Sequence, residues 1–264
     1  MVCDLDGVVW LAHQPLPGAV AAIGQLSDSG IRTLFVTNNS FSTMAEQLAA
    51  LASIGVDATG NVVTSAMAAA SVVEPGQRVL VCGGRGLWEA VAAREAHPVF
   101  AHDESDVDDS GDFDAVVVGL YRELSYASLA RAQHAIRRGA RLIGSNEDPV
   151  YPHRDRVLPG GGSVLAAVAT ASGATPFVTG KPHSTMADLV LKMIAPYTQG
   201  DIVMVGDRWE SDGAFALQLG CRFVLVQSDA TAIGRDLMSI ARSPTPDCMG
   251  EFPSLASVVD VILS

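Results

Sequence analysis

Lysine is almost missing from this chain of 264 residues: only Lys181 and Lys192 occur among 17 basic side chains. No segment gathers arginines into a basic patch and the net charge is -12, which excludes the electrostatic footprint of a nucleic-acid-binding protein. Charged residues are also scarce at 17%, against 48% hydrophobic, so disorder is excluded and packed layers of small apolar side chains are expected. The four cysteines, Cys3, Cys82, Cys221 and Cys248, form no Cys-x-x-Cys pair and no metal-ligand spacing. They read as free thiols of a reducing, cytoplasmic compartment. Unbroken spans for a membrane are lacking as well. The uncharged windows Gly7 to Ser27 and Val157 to Gly180 are interrupted by His13, Pro15 and Pro17, and by Gly160, Gly161, Gly162 and Pro176. A secretory leader is not expected, because Asp4 and Asp6 stand where a basic n-region belongs.

What acidity there is lies largely in one place. Seven acids fall between Asp103 and Asp114, so the rest of the chain carries only -5 of the -12. Asp106, Asp108, Ser110 and Gly111 match the first positions of a calcium loop, but Val117 stands where a bidentate Glu is required, and a solvated loop is the expectation.

The chain is organised around its opening, Val2-Cys3-Asp4-Leu5-Asp6-Gly7-Val8-Val9-Trp10. Strand alternation puts Asp4 and Asp6 on one side, where two carboxylates among apolar neighbours repel each other. Two readings stand: an Asp-Gly turn ending an edge strand, or a pair held around a divalent cation.

Beyond it, a helix over Pro17 to Ser29 stopped by Gly30, and a strand Ile31 to Val36 ending in Thr37-Asn38-Asn39-Ser40, make a β-α-β unit and hence a parallel sheet. Helices follow at Ser42 to Ser53 and Ser65 to Val73 before Pro75-Gly76 breaks the pattern. A second set then supplies strands Val79 to Cys82, Ala115 to Gly119 and Leu142 to Ser145, with helices Leu87 to Glu95, Tyr126 to Arg138 and Ser163 to Ser172. Phe177 to Thr179 reads as a return strand. The first rhythm resumes with a helix at Ser184 to Ile194, strands Ile202 to Val205 and Arg222 to Val226, and a closing helix at Ser254 to Leu263. The expected fold is α/β: a Rossmann-like parallel core of residues 1–74 and 177–264, helices on both faces, with a second α/β domain of residues 75–176 inserted.

Four polar signals recur along this scheme: Asp4 with Asp6, Thr37 with Asn38, Lys181, and Asp207 with Asp212. Three of them follow apolar strands, and open parallel sheets bind ligands outside the carboxyl ends of their strands. The motifs Asp4-x-Asp6-Gly7, Thr37-Asn38, Lys181-Pro182 and Gly206-Asp207-x-x-x-x-Asp212 closely resemble those of the haloacid dehalogenase-like hydrolases. The strings DLDGVVW, VTNNS, GSNEDPVYP, GKPH and GDRWESD look like its NagD-type, 4-nitrophenylphosphatase-like branch, which carries a large α/β cap.

That resemblance implies a phosphomonoesterase acting on a small phosphorylated metabolite. Asp4 would be the nucleophile and Asp6 the general acid and base. Thr37, Asn38, Asn39 and Lys181 would bind the phosphoryl group. Mg²⁺ would sit among Asp4, the Asp6 carbonyl and Asp207, with Asp212 a ligand through water. Asn146 and Asp148 of the cap would face the leaving group, while His153, Arg154 and Arg156 have two readings, contacts to a second anionic group on the substrate or loop charges, of which the second is the expectation. A homodimer through the cap is a further expectation. Arg208 and Trp209 read as pairing or packing residues, His183 as a helix-start residue and Cys3 as a buried strand residue. Only three residues precede Asp4, so the first strand is expected to be short or to be preceded by further native residues. Two other classes compete. A signalling receiver domain also joins acids, a Thr and a Lys on a parallel sheet, but is half this length and lacks the insertion. A catalytically silent binding protein would have lost a nucleophile or ligand, and none is lost.

Overall fold

A computed structural model describes residues 1–103, 112–153, 156–227 and 248–264. The calcium-like part of the acidic run, from residue 104 to 111, and Arg154 lie outside the described residues. The chain opens with β1 (Val2–Asp4), β2 (Trp10–Leu11), β3 (Gln14–Pro15), α1 (Ala19–Asp28), β4 (Leu34–Thr37), α2 (Met44–Ser53), β5 (Val62–Thr64) and α3 (Ser65–Ala70). Next come β6 (Arg78–Cys82), α4 (Arg85–Ala92), β7 (His97–Phe100), β8 (Ala115–Val118), α5 (Tyr126–Arg137), β9 (Arg141–Gly144), β10 (Val150–His153), β11 (Arg156–Pro159), α6 (Gly161–Ser172) and β12 (Phe177–Val178). The last stretch holds α7 (Ser184–Ile194), β13 (Val203–Gly206), α8 (Ala214–Leu219), β14 (Arg222–Val226), β15 (Cys248–Phe252) and α9 (Leu255–Ile262).

Among the described residues, one sheet has the order β15-β14-β13-β1-β4-β5 and a second the order β12-β9-β8-β6-β7. All pairings within both are parallel. Alternation along the strands explains the layers. Cys3, Phe35, Val205 and Val224 face a cluster with Leu26, Leu51 and Val258 from α1, α2 and α9. Their neighbours Val2, Leu34, Val36, Met204 and Phe223 face Met186, Val190 and Phe215 from α7 and α8. The second sheet is built the same way, with α5 and α6 on one face and α3 and α4 on the other. No described helix is long and apolar enough to cross a membrane.

Three details differ from the sequence reading. The short α3 belongs to both halves, since Ala66, Ala69 and Ala70 pack under the second sheet while Ala68 packs under the first. The second sheet also runs beyond residue 176. Phe177 and Val178 pair with Ile143 and Gly144, and the Thr179 backbone and hydroxyl both donate to the Gly144 carbonyl. Strand alternation, moreover, stops at Asp4, where β1 ends. Asp6 reaches the same region by a tight loop in which the Leu5 carbonyl accepts from the amides of Val9 and Trp10, and Gly7 takes φ 88°.

Candidate active site

In the first sheet the chain steps from β1 outward to β4 and β5, then returns to β13 on the other side of β1 and steps outward again. The gap between β1 and β13 is thus the point where strand order reverses, the place at which a parallel sheet opens a crevice. Asp4 ends β1, and Asp207 directly follows β13.

Lys181, on the loop between β12 and α7, enters this crevice from the side and is only 2% exposed. Its Nζ donates to Asp4 Oδ1 and to Asp212 Oδ1, both at 2.7 Å. Asp212 arrives by a local distortion of the chain: Trp209–Gly213 form one wide π-type turn after β13, which carries the side chain back over Gly206. A methyl group on Gly206 would overlap the Asp212 carboxylate. The second oxygen of Asp212 accepts from the backbone amides of Asp207 and Arg208, at 3.2 Å each. Both its oxygens are therefore committed.

Three buried or half-buried carboxylates thus gather beside one ammonium that bonds two of them, Asp4 and Asp212, and their protonation reflects it. Burial, then the charge of Asp212, raises the Asp4 carboxyl well above its usual range, with Lys181 opposing. Burial likewise pushes Asp207 up to about 7, against the pull of Arg208. Burial also lifts Asp6, opposed by the charges of His13 and Arg208. Desolvation would depress Lys181, but Asp212 and Asp4 outweigh it and hold the lysine charged. One ammonium cannot neutralise three carboxylates. Ligand oxygens of Asp4, Asp207 and Asp212 lie within 4.8 Å of one another, and Asp207 Oδ1 is buried with no hydrogen-bond donor. An all-oxygen, anionic donor set with an unsatisfied buried oxygen fits a hard divalent cation.

Around this centre the loop after β4 is fixed in detail. Thr37 is the last residue of β4, paired with Thr64, and its hydroxyl accepts from the Asn39 amide at 3.0 Å. Asn39 Oδ1 accepts from the amides of Phe41 and Ser42, so this side chain shapes the loop. Asn38 ties three segments together. Its Oδ1 accepts from the Lys181 amide, and its Nδ2 donates to the Lys181 carbonyl and to Asp148 Oδ2. Asn146 in turn donates to the Asn38 carbonyl at 2.9 Å. Asp148 also meets Arg208 at 3.4 Å, so the loop after β9, on the second sheet, is latched to both sides of the crevice. Trp209 packs edge-on against Phe223, and His183 starts α7 with its ring bonded to Glu147 at 2.8 Å.

A cavity of about 310 Å³ gathers Asp4, Asp6, Thr37 and Lys181 with Asn146 and Asp148 from the loop after β9. Asp207 and Asp212 are not among its lining residues. The cavity is also lined by four residues that motif reading did not single out: His13, Phe41, Arg122 and Tyr151. The signal for Arg122 was available in principle, as the first charge after the apolar run Ala115 to Tyr121.

A model of the haloacid dehalogenase-like hydrolases matches residues 1–96, and a HAD-hydrolase-like model matches residues 178–247. The chain is 37% identical over 263 residues to the D-glycerol 3-phosphate phosphatase of Mycobacterium tuberculosis, spanning 91% of this chain and 70% of that protein. The p-nitrophenyl phosphatase from Archaeoglobus fulgidus superposes with a TM-score of 0.84 at 26% identity, over 98% of this chain and 97% of that one. A structure of the M. tuberculosis glycerol phosphate phosphatase in complex with magnesium superposes with a TM-score of 0.77 at 33% identity, over 97% and 75% of the two chains.

Proposed function

The chain belongs to the haloacid dehalogenase-like hydrolases, and from this we propose that it is a Mg²⁺-dependent phosphatase of small phosphomonoesters working through an aspartyl-phosphate. The observation that carries the reading is the Asp4–Lys181–Asp212 cluster at the strand-order reversal, with an unsatisfied Asp207 oxygen beside it. Asp4, Asp207 and the Asp6 carbonyl would hold the cation, with Asp212 acting through water. When bound, the cation offsets charge on the nucleophile and on the phosphoryl oxygens.

Asp4 attacks phosphorus, and the bond from phosphorus to the ester oxygen breaks. Lys181 and the Thr37 hydroxyl hold the phosphoryl oxygens as this happens. Asp6, whose raised carboxyl retains a proton more readily than an exposed one, gives that proton to the leaving oxygen. The same group, now ionised, takes a proton from water, which attacks the phosphorus of the aspartyl-phosphate. Phosphate leaves and the Asp4 carboxylate is restored. Lys181 limits the cost of keeping Asp4 ionised in a buried place. A cavity of about 310 Å³ is at the small end for ligand sites, which suits small phosphorylated metabolites.

Hydrolysis of 4-nitrophenyl phosphate by the purified protein tests the reading. Activity is expected with Mg²⁺ and not with EDTA, and Asp4→Asn should lower kcat by at least about 1,000-fold. Undiminished turnover by that variant would sink the aspartyl-phosphate mechanism.

A further inference from the structure

The inserted domain repeats the logic of the first. Its chain steps from β6 to β7 on one side and from β8 through β9 to β12 on the other, so strand order reverses between β6 and β8. The carboxyl ends of these two strands form a second crevice, and it opens onto the loop after β4. The Leu120 amide donates to Ser40 Oγ, and the Gly86 amide donates to the Phe41 carbonyl. The two reversal points face one another across the cavity, and Arg122 follows β8 at the second of them.

Arg122 is held from two sides. Its guanidinium lies over the Phe41 ring, 4.4 Å from the centroid, and Nη2 donates to the Tyr151 hydroxyl at 3.2 Å. Neither partner is an anion. Among the described residues no carboxylate pairs with Arg122, and its other N–H groups have no protein acceptor. The cavity's other guanidinium, Arg208, meets Asp148 at 3.4 Å and Asp207 at 3.9 Å. An oriented, uncompensated guanidinium on the wall of an otherwise acidic cavity is a receptor for an oxyanion.

We infer that Arg122 is a specificity residue that binds a second anionic group on the alcohol portion of the substrate. The site then favours small phosphomonoesters bearing a carboxylate over those bearing only hydroxyls. This deepens the phosphatase reading and rests on it. The phosphoryl end occupies the first reversal point, at Asp4 and Lys181. The carboxylate end occupies the second, where the planar fork of Arg122 donates to its two oxygens. Tyr151 and Phe41 act as positioning residues, since they fix the plane of the guanidinium.

The test compares kcat/KM for 2-phosphoglycolate, glycerol 3-phosphate and 4-nitrophenyl phosphate in the wild type and in Arg122→Met, Arg122→Lys and Tyr151→Phe. The wild type should prefer 2-phosphoglycolate to glycerol 3-phosphate. Arg122→Met should lower that preference about 30-fold, mainly through KM, as expected for loss of one charge-assisted pair. Arg122→Lys should retain part of the preference, and Tyr151→Phe should reduce it in the same direction by a smaller factor. An unchanged ratio in Arg122→Met, or an equal loss on all three substrates, overturns the role of Arg122. A wild type that hydrolyses none of the three overturns the phosphatase reading beneath it.

Discussion

Lys181 shows how a single side chain decides the behaviour of a site. An ammonium this deeply buried is tolerated because two carboxylates meet it at 2.7 Å, and those carboxylates are tolerated because it is there. The cluster keeps an excess of negative charge, and that excess gives it a pH dependence. Asp207 titrates near 3.8 when exposed and at about 7 in the folded chain, and Asp4 is shifted in the same direction, burial leading in both. The folded state thus holds protons that the unfolded chain has released, so metal-free stability is full below about pH 4 and is lost as pH rises towards 7. A cation held there, as proposed, would bind the ionised carboxylates and oppose that loss. In EDTA the Tm should fall between pH 5 and pH 8, and the gain in Tm on adding Mg²⁺ should be larger at pH 8. Equal gains at the two pH values would contradict the electrostatic account.

At the scale of elements, the site depends on one turn. The π-type turn after β13 brings Asp212 over Gly206 with no room for a Cβ. Gly206→Ala should therefore displace Asp212 and loosen its grip on Lys181, lowering kcat/KM about 100-fold and stability by about 1–3 kcal/mol. Wild-type kinetics together with an unchanged urea midpoint would show that the turn adapts. This turn also marks what a sequence can and cannot reveal. Helices with clear apolar faces and stops were legible, such as α7, and so were buried parallel strands such as β6 and β14. Strands without a distinctive pattern were not: β5 has three residues, β7 carries Pro98, and the hairpin of β10 and β11 carries Pro152 and Pro159. Asp4, Thr37, Lys181 and Asp207 were legible because each sits at a fixed offset from an apolar run or a glycine. For Arg122 the place after an apolar run was legible but its surroundings were not, because these are made by Phe41 and Tyr151, which come from distant parts of the chain.

At the scale of the molecule, the two sheets with their helices are joined by more than the segments that cross between them. The helix α3 lies in the apolar clusters of both, and Asn38, Asp148 and Arg208 close a polar bridge between them. Gly86 and Gly119 bring the inserted domain so near to residues 40 to 42 that a Cβ at either would clash. Shared packing of this kind favours unfolding in one step. Native-state hydrogen exchange should give the same limiting free energy for amides of β1 and β13 as for those of β8 and β9. A gap of more than about 2 kcal/mol between the two sets would mean that the inserted domain opens independently.

The central place of β1, between β4 and β13, also sets a timetable for synthesis. Asp4 is synthesised about 200 residues ahead of the strand that completes its crevice, which begins at Val203. At roughly 5–20 residues per second, about 10–40 s separate the two. Throughout that interval β1 can pair only on its β4 side, leaving the β13 edge of the nascent sheet open. Asp4, the proposed nucleophile, is made well before β13, and the site around it can close only once β13 has been translated.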